Sequence, residues 1–240
     1  MRLDKFLAEV GLGSRKEVKQ LIKKKCVTVN EKIVTSDKFQ VSETNDVIKY
    51  EGELLQYQAF FYYLLHKPAG VITATKDAQQ QTVMDLLPEV WREGLFPVGR
   101  LDKDTEGLLL ITNDGELAHQ LLSPKKHVEK EYYARVAGVM TAEDVATFAA
   151  GIELSEVLLQ PADLKILKVD EAAEISEITL IIHEGKFHQV KRMVHAVGKE
   201  VTYLKRLRMG SLVLDEALAL GEYRELTEEE VKGLKQGSGF

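Results

Sequence analysis

The sequence predicts an α+β fold with two unequal domains, and three observations support this prediction. Helical and strand-like segments alternate over residues 1–50, a length near the lower limit for an independent core. From Phe60 onwards, strand-like runs outnumber helices and occur in adjacent groups, which favours a mixed, mainly antiparallel β-sheet flanked by helices. Polar residues dominate the stretch between them. We therefore assign residues 1–50 and 60–235 to domains, 51–59 to a linker and 236–240 to a disordered tail.

The N-terminal domain begins with two predicted helices. Apolar residues recur at helical spacing from Leu3 to Val10, and the first helix ends at Gly11. A second helix follows, because Ser14 and Glu17 form a capping-box pattern ahead of another apolar stripe. Short β-branched runs then predict a small sheet. These runs lie at 27–29, 33–34 and 47–48.

The second domain contains five runs typical of strands, since they are rich in β-branched, aromatic and leucine residues between Gly, Pro or polar clusters. These runs are FYYLLH (61–66), GVITAT (70–75), GLLLIT (107–112), EYYARV (131–136) and ITLIIH (178–183). Apolar spacing and capping patterns predict helices as well. The helices lie at 82–87, 115–122, 142–150, 187–197 and near the C-terminus, where Thr227 and Glu230 form a second capping-box pattern.

The distribution of charge favours a polyanionic partner despite a net charge of -6. Residues 1–32 contain nine Lys or Arg against four acids, and residues 186–208 contain seven against one. Such clusters bind nucleic acids by releasing counterions from phosphates, although a run of charge is also typical of a solvated surface. The sequence thus indicates two candidate patches for a polyanion.

Several classes of protein are disfavoured by the composition. The single Cys26 cannot form an internal disulfide or a cysteine-based zinc site. No apolar run approaches the length of a membrane span, and the N-terminal MRLDKF carries charge where a signal peptide is apolar. We expect a soluble cytoplasmic protein with no membrane partner.

Three carboxylates lie at alternate positions in GRLDKDTEGLLLITNDG (99–115). Asp102, Asp104, Glu106 and Gly107 match the start of a calcium-binding EF-hand loop. The twelfth position of that loop is Asn113 rather than a bidentate Glu, and a predicted strand follows where a helix is required. We therefore interpret Asp104 and Glu106 as surface charges, and Asp102, close to a buried strand, as a candidate nucleophile or base.

The segment HEGKFHQVKRMVHAVG (183–198) predicts a helix with an apolar face and a basic face. The apolar positions are Phe187, Val190, Met193, Val194 and Val197, and the basic ones are His188, Lys191, Arg192, His195 and Lys199. Lys186 lies at the positive N-terminus of this helix, where it can reach an anion. A zinc site from its three histidines is disfavoured, because their spacing matches no zinc signature and the nearby cations oppose a dication. A phosphate-facing helix and a merely solvated basic face both stay open.

The segment EKEYYARV (129–136) places Lys130 and Tyr132 on one face of a predicted strand. Tyr132 is either an ordinary half-buried strand residue or a stacking surface for an unpaired base. The spacing alone leaves both interpretations open.

Taken together, these motifs resemble the RsuA family of ribosomal RNA pseudouridine synthases over nearly the whole chain. The segment 2–32 resembles an S4 RNA-binding domain, with Lys25 and Glu31 where glycines are common. The segments around Asp102 and Tyr132 are similar to the family's catalytic and tyrosine motifs. HEGKFHQVKRMVHAVG, LRMGSLVL and LGEYREL are similar to its C-terminal signature. The resemblance implies that residues 1–50 form an S4 domain and 60–235 the catalytic domain.

The resemblance also implies roles for individual residues. Asp102 would be the catalytic carboxylate, Tyr132 would stack on the target uracil, and Lys186 would pair with Asp102. Arg100 would enter the space that a flipped base leaves. We predict RNA contacts from the basic patches and from these motifs. The predicted RNA-binding residues are Arg2, Arg15, Lys16, Lys19, Lys23, Arg100, Lys130, His188, Gln189, Lys191 and Arg192.

The activity implied by the resemblance is isomerisation of a uridine to pseudouridine in 16S ribosomal RNA, at uridine 516. The reaction exchanges an N-glycosidic for a C-glycosidic bond without redox change, so we expect no cofactor and no metal. The base must be flipped out of folded RNA, and we expect the substrate to be a small-subunit assembly intermediate and the enzyme a monomer. The alternatives are a synthase acting on 23S rRNA and a non-catalytic S4-type RNA-binding or ribosome-assembly protein.

Overall fold

The structure, a computed structural model, describes residues 1–88, 94–154 and 157–237. Contacts divide the chain into two units between Ala59 and Phe60. In the described ranges, no helix combines the length and the apolar character needed to cross a bilayer.

Two helices pack on a small antiparallel sheet in the first unit. The elements are α1 (Leu3–Glu9), α2 (Arg15–Lys23), β1 (Val27–Val29), β2 (Lys32–Ile33), β3 (Ile48–Tyr50) and β4 (Glu53–Leu54), with the strands in the order β2-β1-β3-β4. Phe6, Leu7, Val18 and Ile22 from the predicted helical stripes are buried in its core. The predicted capping box also forms, since the backbone N of Ser14 donates to the Glu17 carboxylate over 2.7 Å.

The whole of the predicted linker 51–59 belongs to this first unit. Strand β4 extends the sheet, and Leu55 packs against the core. Tyr57 stacks on Phe6 with ring centroids 5.6 Å apart and donates a hydrogen bond to Glu9. Residues 53–57 therefore pack with the sheet and core of the first unit, although their polar composition predicted a linker.

A mixed sheet forms the centre of the second unit and confirms the α+β prediction. Its strands run in the order β11-β12-β8-β13-β7-β5-β15, with β14 paired to β13 and β6 to β7. Only β13 and β7 pair in parallel among the described strands. The strands are β5 (Tyr62–Lys67), β6 (Phe96–Pro97), β7 (Glu106–Thr112), β8 (Lys130–Ala137), β11 (Asp163–Asp170), β12 (Ile175–Ile182), β13 (Glu200–Met209), β14 (Leu212–Val213) and β15 (Tyr223–Glu225), and a separate hairpin pairs β9 (Glu153–Leu154) with β10 (Val157–Leu158).

Four α-helices of the described residues pack on this sheet, and an apolar cluster is buried on each of its two faces. The helices are α3 (Gly115–Leu122), α4 (Ala142–Ala150), α5 (Gln189–Ala196) and α6 (Glu228–Gly237). Phe148 of α4 and Met193 of α5 join one cluster, which also contains Tyr132 and Leu204. Helices α3 and α6 contribute to the other cluster, alongside alternate residues of β5 and β7. The sheet residues therefore alternate between two apolar cores, which explains the nearly continuous apolar runs of β5 and β7.

The structure differs from the predicted elements at several places. GVITAT (70–75) forms no strand but a single bridge between Ile72 and Thr82, and the predicted helix 82–87 is a 3₁₀ turn at Val83–Leu86. Strands β11 and β13 were not predicted, because their many charged side chains mask the alternation of apolar residues. Helix α6 runs to Gly237 and so includes two residues of the predicted tail, while 238–240 lie outside the described residues.

Gly107 allows β7 and β13 to approach each other. Its φ is +106°, and an added Cβ would overlap the backbone oxygen of Arg206 and lie 2.7 Å from its nitrogen. We expect Gly107→Ala to lower the free energy of unfolding by about 2 kcal/mol, from backbone strain and overlap combined. Urea unfolding measures this loss. Gly115→Ala is the matched control, since open space surrounds that helical glycine, and an equal loss in both variants would contradict the argument.

Candidate active site

The second unit contains a cavity of about 110 Å³ between the sheet, the turn before β7 and the start of α5. Asp102, Tyr132 and Lys191 lie in its wall, so residues from three separate predicted motifs meet there. Arg100, Lys130, Lys186, His188, Gln189 and Arg206 also line it. Most of the predicted site residues therefore line this one cavity. The exceptions are Arg2, Arg15, Lys16, Lys19, Lys23 and Arg192.

A buried lysine holds the turn that contains Asp102. Lys67, at the end of β5, is completely buried. Its Nζ donates to the backbone oxygens of Asp102 and Thr105 over 3.1 and 2.8 Å, and to those of Pro68 and Lys103 over 3.0 and 3.3 Å. The Lys67 ammonium thus binds the backbone carbonyls of this turn and fixes the backbone position of Asp102.

Burial lowers the pKa of Lys67 to about 8, although Asp104, Asp102 and Glu106 act in the opposite direction. The unfolded chain keeps an ordinary lysine pKa near 10.4, so between these two values the unfolded state binds more protons than the folded state. Stability therefore rises with pH in this window because of Lys67.

We expect the free energy of unfolding of the unmodified protein, relative to Lys67→Met, to increase by roughly 1 to 3 kcal/mol between pH 7.5 and 10. Urea unfolding of both proteins at several pH values measures the difference, and the tyrosine contributions cancel because both proteins share them. A difference that stays constant over this range would contradict the lowered pKa of Lys67.

Asp102 is ion-paired with Lys191, not with Lys186. The Lys191 Nζ lies 3.1 Å from Asp102 Oδ2, and the His188 Nε2 lies 3.5 Å from Asp102 Oδ1. Lys186 instead lies 3.6 Å from the carboxylate of Glu184. The predicted Lys186–Asp102 pair is therefore absent, and Lys191, which we predicted as an RNA contact, takes the position beside Asp102.

The geometry at the start of α5 explains this exchange. The helix begins at Gln189, not at residue 187, and His188 before it has a left-handed φ of 48°. The Gln189 amide is buried and donates to Glu184, while its oxygen accepts from the backbone N of Lys186. This turn carries Lys186 towards Glu184 and leaves Lys191 on the helical turn that faces Asp102.

Phe187 also differs from its predicted place on the apolar face of the helix. Its side chain is 67% exposed and stacks on the His188 ring at 3.8 Å between centroids. The apolar face of α5 is instead formed by Val190, Met193 and Val194.

The three acids of the segment 99–115 have three different environments. Asp104 is 72% exposed and lies 2.6 Å from Lys191 Nζ, which keeps the pKa of this carboxyl below its usual range. Glu106 accepts a hydrogen bond from the Tyr203 hydroxyl over 2.7 Å, so it is more than a surface charge. Burial by itself lowers the pKa of Lys191. Hydrogen bonds from Lys191 to Asp104 and Asp102 outweigh burial, so the pKa of Lys191 is raised. Only Asp102 combines a cationic partner with the wall of the cavity.

Tyr132 and two further cations form the sheet side of the cavity. Tyr132 lies directly opposite Arg206 in the β8–β13 ladder, and Lys130 precedes it by two residues on the same face. All three side chains are buried. Lys130 and Gln189, which we predicted as RNA contacts, are therefore interior groups, whereas Arg100 is exposed at the cavity.

The predicted basic residues of the first unit fall into two groups. Arg2 and Lys19 pair with the carboxylates of Asp4 and Asp37. Arg15, Lys16 and Lys23 are exposed along α2 and form no ion pair within the described residues. These last three are therefore the cations of α2 that a polyanion can reach without breaking an existing pair.

Two buried cations of the site were not singled out from the sequence. Lys67 follows the apolar run FYYLLH, and its place at the end of that run was the available signal. Arg206 lies within the basic block 186–208, where it was counted as one surface charge among seven. Across the described ranges, no group of three or more His, Cys, Asp or Glu side chains is arranged to hold a metal ion.

Comparison with known proteins agrees with this arrangement. Residues 61–196 match the family model described as RNA pseudouridylate synthase, and residues 1–48 match that of the S4 domain. The chain belongs to the RNA pseudouridylate synthase family. This synthase is 43% identical to the ribosomal small subunit pseudouridine synthase A of Vibrio cholerae, over 98% of its own length and 99% of the relative's. The resemblance to the RsuA family is thereby confirmed.

Two further similarities define the synthase more closely. It is 41% identical to the ribosomal large subunit pseudouridine synthase B of Bacillus subtilis, over 98% of its own length and 95% of the relative's. A crystal structure of a pseudouridylate synthase shares 38% identity and a TM-score of 0.68, covering 98% of this chain and 99% of that one. The protein is thus an enzyme of the isomerase class with an N-terminal S4 domain, rather than a calcium-binding module or a non-catalytic RNA-binding protein.

Proposed function

We propose that this synthase converts a uridine of ribosomal RNA to pseudouridine with Asp102 as its catalytic carboxylate. The observation that carries this proposal is the position of Asp102, which lines the cavity with Tyr132 and is paired with Lys191 over 3.1 Å. In this proposal Tyr132 stacks on the uracil ring, and Arg100 at the cavity enters the space left in the RNA.

The reaction breaks the bond between N1 and C1′, turns the uracil and joins C5 to C1′. A carboxylate suffices for this chemistry as nucleophile or base, and no cofactor is needed because no electrons are gained or lost. Lys191, 3.1 Å from the Asp102 carboxylate, holds that side chain at the cavity wall. Asp102 then attacks C1′, adds to C6 of the base, or removes a ribose proton, and all three routes start from the same carboxylate.

In this proposal the RNA backbone is held by basic residues of the S4 domain and of the second basic patch. Arg15, Lys16 and Lys23 on α2 of the S4 domain contact phosphates, as do His188 and Arg192 at the second patch. A uridine inside folded RNA must be extruded, which costs a few kcal/mol and is offset by stacking and phosphate contacts.

We propose 16S rRNA as the substrate, at uridine 516, with 23S rRNA as the second candidate. The full-length similarity to a small subunit enzyme supports the first, and the similarity to a large subunit enzyme, only slightly lower, favours the second. Pseudouridine mapping in both rRNAs of a deletion strain tests the choice. Loss of a pseudouridine from 23S rRNA alone would contradict the 16S assignment.

We further propose that the monomeric enzyme acts on an assembly intermediate of the small subunit. A uridine that must flip out is more accessible before the subunit has packed. Activity on naked 16S rRNA, on assembly intermediates and on mature subunits tests this, with size-exclusion chromatography for the oligomeric state. Equal activity on naked RNA and mature subunits would contradict the proposal.

A further inference from the structure

Two buried cations lie on the inner wall of the cavity, and neither has a carboxylate partner within the described ranges. Arg206 is 2% exposed, and its Nε donates to the backbone oxygen of Leu108 over 2.8 Å. Its Nη2 is buried and has no hydrogen-bond partner among the residues that the structure describes. Lys130 donates to the backbone oxygen of Val128 over 2.9 Å, and neither cation forms an ion pair with a carboxylate in the described part of the chain.

This arrangement is unfavourable for folding. A buried donor without an acceptor and a buried charge without a counterion both cost free energy. The two cations also repel each other. Burial, and in addition the charge of Arg206, lower the pKa of Lys130 to about 8. A ligand that brings negative charge into the cavity removes both costs.

The position of the pair relative to Tyr132 indicates what that ligand is. Arg206 is the direct cross-strand neighbour of Tyr132, and Lys130 lies on the same face of the same strand as Tyr132. A planar base stacked on Tyr132 therefore has its edge beside these two cations. The carbonyl oxygens of uracil lie on that edge and accept hydrogen bonds.

We propose that Arg206, assisted by Lys130, is a catalytic group that carries the negative charge of the uracil ring during its transfer. This inference rests on the proposed function, because it concerns the base that Asp102 acts on. It adds a group that stabilises negative charge on the uracil ring, a role separate from that of the Asp102 carboxylate.

The charge balance of the reaction requires such a site whichever route Asp102 takes. If Asp102 attacks C1′ or removes a ribose proton, the electron pair of the C1′–N1 bond leaves with N1 and spreads to the carbonyl oxygens. If Asp102 adds to C6, the electrons of the C5–C6 bond move to C5 and the oxygen on C4. When C5 later bonds to C1′, it displaces Asp102 from C1′ in the first route, and in the second route the ribose carbon takes back the proton that Asp102 removed. In the third route the bond between Asp102 and C6 breaks as the C5 proton leaves. In all three routes the C5 proton is lost, N1 gains a proton and the ring ends neutral. Fixed donors at a developing oxyanion lower the barrier to each of these steps.

The test compares uridine with 5-fluorouridine, because fluorine stabilises the same negative charge. 16S and 23S rRNA transcripts are made with either nucleoside, and the C-linked product is followed by mass spectrometry of nuclease digests under single turnover. 5-Fluorouridine has no C5 proton to lose, so its C-linked product keeps fluorine on C5 and takes up water across the double bond between C6 and N1. We expect Arg206→Met to slow the reaction about 100-fold on uridine and about 10-fold on 5-fluorouridine, since the better leaving base needs the cation less. Lys130→Met should also slow the reaction more on uridine than on 5-fluorouridine, with smaller factors on both.

Three further measurements separate catalysis from structure. We expect the melting temperature of Arg206→Met to be no lower than that of the unmodified protein, because an unpaired buried charge is removed. Arg206→Lys should recover about tenfold of the lost rate, since it keeps the charge but loses the planar fork. Arg208→Met is the matched control: Arg208 lies on the same strand, pairs with Glu129 and Glu131 outside the cavity, and should leave the rate unchanged.

The outcomes are distinguishable. Equal slowing on both nucleosides, or a rate that Arg206→Met leaves unchanged, would overturn the inference while leaving the proposed function intact. If Arg206→Met does not fold, the ratio of the two rates in Lys130→Met decides in the same way. If the unmodified protein forms no product on either rRNA, the proposed function fails and this inference fails with it.

Discussion

An Asp102→Asn variant is expected to bind ribosomal RNA and to form pseudouridine at least about 10⁴-fold more slowly than the unmodified protein. The amide has the shape of the carboxylate but can neither attack carbon nor accept the proton. RNA affinity should change by less than about threefold, because most of the proposed phosphate contacts come from cations that do not touch Asp102. Tritium release from uracil-5-labelled rRNA measures the activity, and filter binding measures the affinity.

Asp104→Asn is the control for this experiment. Asp104 lies in the same turn but is 72% exposed, and it contacts the same Lys191. We expect its loss to slow the reaction by less than about tenfold, since an exposed ion pair contributes little. Full activity in Asp102→Asn, or an equal loss in both variants, would remove Asp102 from the catalytic role.

Replacing Lys191 by Met is expected to slow the reaction about 10²- to 10³-fold, whereas Lys186→Met should slow it by less than about threefold. Lys191 is the ammonium within 3.1 Å of Asp102, and its removal leaves a half-buried carboxylate with His188 as its remaining ion-pair partner among the described residues. Lys186 is paired with Glu184, outside this contact.

Single-turnover rates on the rRNA that the unmodified protein converts measure both effects. RNA affinity should fall only slightly in each variant, because each loses one cation of many. The reverse order, with Lys186→Met the more damaging change, would restore the assignment that the sequence motifs favoured.

The sequence was sufficient for the parts of the molecule that depend on local spacing. The apolar stripes of α1 and α2 and the capping box at Ser14 follow from residues three or four positions apart. The strands at FYYLLH and GLLLIT follow from unbroken apolar runs, because both faces of the central sheet are buried. The family followed from four motifs in a fixed order, which no single charge pattern could indicate.

The partners of charged side chains required the tertiary structure. The exchange of Lys186 for Lys191 depends on one left-handed residue, His188, which moves the start of α5 by two positions. Lys67 and Arg206 were missed because their acceptors belong to turns and strands far away in the sequence. Lys25 and Glu31, which stand where the S4 pattern commonly has glycine, both adopt a φ of 64°, so the family's turns persist without glycine.

The parallel pairing of β7 with β13 also has a consequence for the time at which the enzyme becomes active. Gly107 and its partner Arg206 are roughly 100 residues apart, so β7 waits on the ribosome for about 5 to 20 s before β13 is synthesised. During that interval the chain contains Asp102 but lacks Lys191 and the strand that closes the cavity. The S4 domain can already fold, while the isomerase chemistry begins only after nearly the whole chain has been translated.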